Sequence, residues 1–265
     1  MLETQYATGV PRRNIETALT NAGLDLARLE AAELAPLEDF HTMGRIATHQ
    51  LLDLLDISGR EHVLDAGCGV GGTARFVADR YECRVSAVDL TDEYCETARW
   101  LNGLVGLDGR ISVPRADVTD LPFADATFDV VVSQHVQMNV FDKGRLYAEA
   151  GRVLVDGGRL ALWDIASGGK GELDFPLPWA DHPGQSHLVT PDQLRASVEA
   201  AGFTVEHWAD LSAQAATVMQ TFLTLPTNPL GLHAFVADFA TKATNLAAAL
   251  ADGRLHAIQA VARRM

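Results

Sequence analysis

From His62 to Ile165 the chain alternates short β-rich runs with helical ones. "HVLDAG", "RVSAVDL", "ISVPRADV", "FDVVVSQ" and "RLALWDI" read as strands, and "TARFVADR", "TDEYCETARWLNGLVG" and "GRLYAEAGRVL" as helices. Apolar strands separated by helices imply a parallel sheet buried on both faces, because each parallel crossover needs a long return that lies against the sheet. The predicted class is therefore α/β with helices on both faces. Helix ends carry chemical marks. Thr91, before Asp92 and Glu93, is an expected N-cap. "TPDQ" at 190–193 combines an N-cap, a first-turn proline and the glutamine of a capping box. Gly202 ends that helix, "FTVEHW" follows as a strand, and "LHAIQAVA" at 255–262 is expected as the final strand.

Residues 14–57 have helical apolar spacing, with Ile15, Leu19, Leu24, Leu26 and Leu29, then Ile46, Leu51, Leu52 and Leu55. The expected organisation is one domain over 1–265, with a helical cap at 1–50, a core at 51–210 and a final strand at 254–265. Segments 170–190 and 211–253 are too long for plain connections and are expected to form lids at the strand ends. At 48% hydrophobic residues the chain can build such a core. Its net charge of -14 is spread along the sequence, which argues against a nucleic-acid-binding surface built from clustered Lys and Arg. Cys68, Cys83 and Cys95 lack metal-ligand or redox spacing, so free thiols and no metal are expected. Without a long apolar window or a secretory leader, the expectation is a cytoplasmic protein with no stable membrane anchoring, either monomeric or homodimeric.

The stretch "VLDAGCGVGG" at 63–72 then asks what lies over its four glycines. A strand, a glycine turn and a helix leave backbone N–H groups and a positive helix end for a ligand. Gly67, Gly69 and Gly72 fit G-x-G-x-x-G, and Asp89 follows about 20 residues on, where a carboxylate can bind ribose hydroxyls. This pattern alone admits NAD, FAD or another adenosyl ligand.

Four motifs in order narrow it: "VLDAGCGVGG", "VSAVDLT", "ADVTDLPFADATFDVVVSQ" and "GRVLVDGGRLALWDI". Together they resemble the class I S-adenosylmethionine-dependent methyltransferases. "HTMGRIATHQLLDLL" and "SQHVQMNVFDK" are similar to small-molecule enzymes of the sarcosine/dimethylglycine and quinone type. The resemblance implies a Rossmann-like, mostly parallel seven-stranded sheet with an antiparallel last strand and a helical lid. It implies S-adenosylmethionine as cofactor, with Gly67 and Gly69 along its methionine part and Asp65 orienting its amino group. Asp89 would hold the ribose, Leu90, Asp117 and Val118 the adenine, and Gln134 would complete the cofactor set. A nicotinamide oxidoreductase would leave Asp65 and the Asp117 motif unexplained.

Methyl transfer from a sulfonium is an in-line displacement with a good leaving group, so the protein must place the acceptor and, where required, take its proton. If "SQHVQMNV" is extended, Ser133, His135, Gln137 and Asn139 share one face. His135 is the expected base and His41 a secondary one. Gln137, Asn139, Trp179, His182 and Arg45 are expected to bind the substrate, and Tyr6 with "FHTMGR" at 40–45 to cover the cofactor. The partner is a small-molecule acceptor methylated on oxygen or nitrogen. Ring-carbon methylation of a quinone precursor, or an inert adenosyl-binding protein, are the alternatives.

Overall fold

The computed structural model describes residues 10–265. The helices are α1 (Pro11–Asn21), the short α2 (Ala35–Glu38), α3 (Arg45–Leu52), α4 (Gly72–Tyr81), α5 (Asp92–Leu104), α6 (Lys143–Val153), α7 (Pro191–Ala200), α8 (Ser212–Thr224) and α9 (Phe239–Ala251). The strands are β1 (His62–Ala66), β2 (Arg84–Val88), β3 (Ile111–Ser112), β4 (Phe128–Gln134), β5 (Leu154–Ser167), β6 (Phe203–Asp210) and β7 (Leu255–Arg264). They form one seven-stranded sheet in the order β3-β2-β1-β4-β5-β7-β6. Pairings among β1 to β5 are parallel, and β7 runs antiparallel to both β5 and β6.

The period-2 geometry of a strand sorts side chains onto two faces. Val63, Val130, Val132, Ala161 and Trp163 join one buried cluster with α4 residues Ala74 and Val77 and α9 residue Leu246. Leu64, Val131, Leu160 and Leu162 join another with Leu146 and Ala150 of α6 and Leu194 and Val198 of α7. Helices thus cover both faces, as expected. A third cluster packs Ile15 and Leu19 of α1, with Leu34 and Leu37, against Tyr94 and Leu101 of α5 and Phe235.

Residues 14–57 hold α1, α2 and α3, separated by turns that include Gly23 and Gly44, both at positive φ. Two local expectations are corrected. "ISVPRADV" is strand only at Ile111–Ser112, because Pro114 has no N–H to give a ladder, and the segment rejoins the sheet through a single Asp89–Arg115 bridge. Thr91 stands at the N-cap of α5, but its side chain caps nothing. Instead its backbone N–H donates to Asp89 Oδ1 at 2.9 Å. The capping box of Thr190 and Gln193 forms as expected, and Asp142 caps α6 by accepting from Arg145 N.

Candidate active site

A cavity of about 430 Å³ lies beyond the C-terminal ends of β1, β2 and β4, with residues of the 38–41 cap segment and of the 170–190 insertion on its walls. Strand order reverses direction between β1 and β4, and the crevice at such a switch point is where an open α/β sheet binds its ligand.

The glycine turn is built differently from the expectation of a nest of free N–H groups. Gly67 N and Cys68 N both donate to Val88 O, at 2.9 and 2.8 Å, and Gly69 N donates to Asp89 Oδ2 at 2.9 Å. Gly67 is bare because Val136 fills its place: an added Cβ would sit 2.3 Å from Val136 Cγ2. Gly69, at φ +52° with nothing within 4 Å of an added Cβ, is the glycine that faces open space. At Gly72 an added Cβ would meet Glu38 at 2.8 Å, so the cap segment closes over the start of α4.

All eight residues expected at the cofactor line this cavity: Asp65, Gly67, Gly69, Asp89, Leu90, Asp117, Val118 and Gln134. Asp65 is buried, and its Oδ2 has no partner. Burial pushes its carboxyl up to about 7, opposed by the Ala74 backbone N–H and reinforced by the neighbouring Asp89. Gln134 donates to Thr73 Oγ1 at 2.7 Å, while its buried Oε1 is also unpartnered. Two orphaned acceptors in one wall call for a ligand that donates hydrogen bonds. Asp89 accepts one backbone N–H on each oxygen, which fixes its carboxylate and leaves lone pairs for hydroxyls. Asp117, exposed at the edge, is oriented by the N–H and hydroxyl of Thr119 at 2.8 and 2.7 Å. Cys68 is a buried free thiol pushed well above its ordinary range by burial, inert as a nucleophile.

His41 and His135 also line the cavity, ring centroids 6.0 Å apart. β4 stops at Gln134, and His135 adopts φ +56°, a strained conformation for a side-chain-bearing residue that turns the chain into a 3₁₀ turn at Gln137–Asn139. The predicted extended segment is therefore absent, and its polar residues separate. His135 and Asn139 line the cavity, whereas Ser133 lies elsewhere. Gln137 is buried away from it and donates to Ile165 O. His135 Nε2 accepts from Thr42 N at 3.3 Å and lies 3.0 Å from Thr42 Oγ1. His41 Nδ1 contacts Thr42 O at 3.3 Å and its Nε2 contacts Thr48 Oγ1 at 3.2 Å. Burial holds His41 down to about 4 and His135 well below the ordinary histidine range, so both rings are neutral.

Trp179 lines the cavity, its indole N–H donated to Ser186 Oγ at 2.9 Å. His182 is exposed and off the lining, and Asp181 pairs with Lys242 at 3.0 Å. Arg45 does not reach the cavity, since its guanidinium bonds Asp39 at 2.8 Å and Glu38 at 2.6 Å. Tyr6 lies outside the described residues. The 211–253 insertion does not border the cavity either. It supports the 170–190 insertion from behind, through Lys242 and through Asn245 Nδ2 donating to Pro176 O.

Several supporting residues were not anticipated. Fully buried Arg75 of α4 bonds Glu38 through Nε at 2.9 Å and a terminal nitrogen at 2.5 Å, then Val70 O and Asn102 Oδ1, fastening the cap to the glycine turn. Asp164 of β5 accepts from the N–H groups of Val136 and Gln137, at 3.1 and 3.0 Å. Lys143 donates to the carbonyls of Gln137, Val140 and His187. These two set the loop that carries His135. A charged residue beside a helix start gives no sign in sequence that it folds inward.

A "Methyltransferase domain" family profile matches residues 64–162. The chain is 34% identical over 198 residues to methyltransferase GfsG of Streptomyces halstedii, a match covering 72% of this chain and 67% of that protein. It is 34% identical over 142 residues to a sarcosine/dimethylglycine N-methyltransferase of Halorhodospira halochloris, covering 54% and 51%. The matches thus span about half to two thirds of these relatives' length. In fold it is similar to a geranyl diphosphate methyltransferase determined with GPP and sinefungin, at TM-score 0.70 and 19% identity, covering 84% of this chain and 80% of that one.

Proposed function

This chain belongs to the S-adenosylmethionine-dependent methyltransferase family, and from that premise we propose that it transfers a methyl group to an oxygen or nitrogen of a small molecule by in-line displacement. The observation that carries the reading is the meeting, in one cavity, of orphaned acceptors on Asp65 and Gln134 with two neutral histidines. The residues present fit the cofactor. Asp65 Oδ2 and Gln134 Oε1 suit the donors of its amino-acid part, Asp89 its ribose hydroxyls, and Leu90, Asp117 and Val118 its adenine. When bound, S-adenosylmethionine supplies an electrophilic methyl group on a sulfonium. The chain's own work is to bind, orient and exclude water.

Within that reading His135 donates a hydrogen bond. An N–H from Thr42 already occupies Nε2, so the neutral ring carries its proton on Nδ1. Acting as a base through Nδ1 would require the other tautomer, which sets two N–H groups against each other. His135 therefore positions the acceptor oxygen, with Asn139 beside it, and the segment at 170–190 closes the site through Pro178 and Trp179. Calorimetry with S-adenosylhomocysteine tests the reading, with micromolar or tighter binding expected. Preferential binding of NAD would overturn it.

A further inference from the structure

Beside the two histidines, Asn139 and Asp142, the acceptor part of the lining is apolar. Phe40, Met138, Val140, Phe141, Pro178 and Trp179 form its walls. Trp179 has its indole N–H turned to Ser186. Phe141 is 85% exposed at the rim, edge-on to His187 with centroids 5.6 Å apart, a large ring left in water beside an open cavity. Among the described residues no lysine or arginine lines the cavity. Cations around it are committed to other partners: Arg45 and Arg75 to Glu38, Lys143 to three carbonyls, and Arg115 and Arg145 to the carbonyls of Leu90 and Thr119. The formal charges on the lining are carboxylates, and the two histidines are neutral. A carboxylate or phosphate on the acceptor would lose its water and gain no cation in return.

We propose that the methyl acceptor is a largely apolar hydroxyl compound that carries no anionic group, held by contact area, and not an amino acid, carboxylate or phosphate ester. This deepens the methyltransferase reading and rests on it. The hydroxyl oxygen accepts the Nδ1–H of His135 on one lone pair and takes the methyl group on the other, its proton passing to bulk water at the open rim, and Phe141 is covered as the acceptor enters.

A matched pair of fluorescent probes tests it: N-phenyl-1-naphthylamine, which is neutral, and 8-anilino-1-naphthalenesulfonate, the same skeleton with a sulfonate. With the full chain saturated by S-adenosylhomocysteine, the neutral probe should bind at least about 10-fold more tightly. Phe141→Lys, at an exposed position that folding tolerates, should cut that preference about 10-fold or invert it, while Phe141→Leu keeps it within about 3-fold. Equal or tighter binding of the sulfonate, no binding of the neutral probe, or a preference untouched by Phe141→Lys would each overturn the inference. So would methylation of sarcosine or dimethylglycine. If S-adenosylhomocysteine binds and the probe order is reversed, only the acceptor class fails. If S-adenosylhomocysteine itself does not bind, the methyltransferase reading fails with it.

Discussion

Thr42 holds His135 from both its backbone and its side chain, N–H to Nε2 at 3.3 Å and hydroxyl oxygen at 3.0 Å from the same nitrogen. Thr42 O in turn accepts the indole N–H of Trp163 at 3.1 Å, from a side chain buried in β5. The cap segment is thus pinned to the sheet at the point where it holds the histidine ring.

A donor role makes His135→Asn informative, since the amide N–H can stand near the place of Nδ1–H. His135→Ala should lower turnover by about 2–10-fold, the scale of one hydrogen bond between neutral groups, and His135→Asn should restore most of it. Because burial and the nearby His41 hold the ring well below the ordinary histidine range, turnover should show no histidine limb between pH 6 and 8. A limb in that window that both variants abolish, with losses of about 10²–10⁴-fold, would instead identify proton removal.

Asp89 has one oxygen on Gly69 N and the other on Thr91 N, so it organises the turn as well as facing the ligand. Asp89→Ala should weaken S-adenosylhomocysteine binding by about 1.5–3 kcal/mol in calorimetry. It should also lower the denaturation midpoint, because two N–H groups lose their acceptor. Unchanged affinity would mean that the ribose is held elsewhere.

The sequence made the sheet and the cofactor wall readable because both are local. Strand ends, glycines and Asp89 lie where a period-2 run stops, and all eight expected cofactor residues line the cavity. The acceptor end was harder, because one backbone angle decides it. With φ positive at His135 the chain leaves the strand, so Gln137 turns into the core while Asn139 stays on the cavity. Arg45 illustrates the other limit. A lone arginine reads as a ligand for a substrate carboxylate, but the acids it pairs with, Glu38 and Asp39, stand at and just after the end of α2, and Glu38 is oriented by Arg75, which is distant in sequence.

Glu38 serves Arg75 from its Oε2 and Arg45 from its Oε1, with the first pair essentially inaccessible to water. Glu38→Gln should destabilise the chain by about 3–5 kcal/mol in urea denaturation, because it strands a buried guanidinium. Arg195→Ala, which breaks an exposed i,i+4 pair with Glu199, should cost only about 0.3–0.5 kcal/mol. Similar losses for the two would show that the buried pair does not anchor the cap.

Asp65 ties cofactor binding to pH. In the ligand-free chain burial holds its carboxyl at about 7, so it is protonated through the mildly acidic range. A cofactor ammonium against the orphaned Oδ2 favours the charged form and pulls that value down. Between the two values, free protein carries the proton and bound protein does not. Binding therefore releases up to about one proton, and affinity rises with pH until about 7 and then levels off. Calorimetry at pH 6 in buffers of different ionisation enthalpy should detect that release, and Asp65→Asn should remove it along with part of the affinity. Proton uptake at pH 6, or an affinity that falls from pH 5.5 to 7, would show that Asp65 does not receive the ammonium.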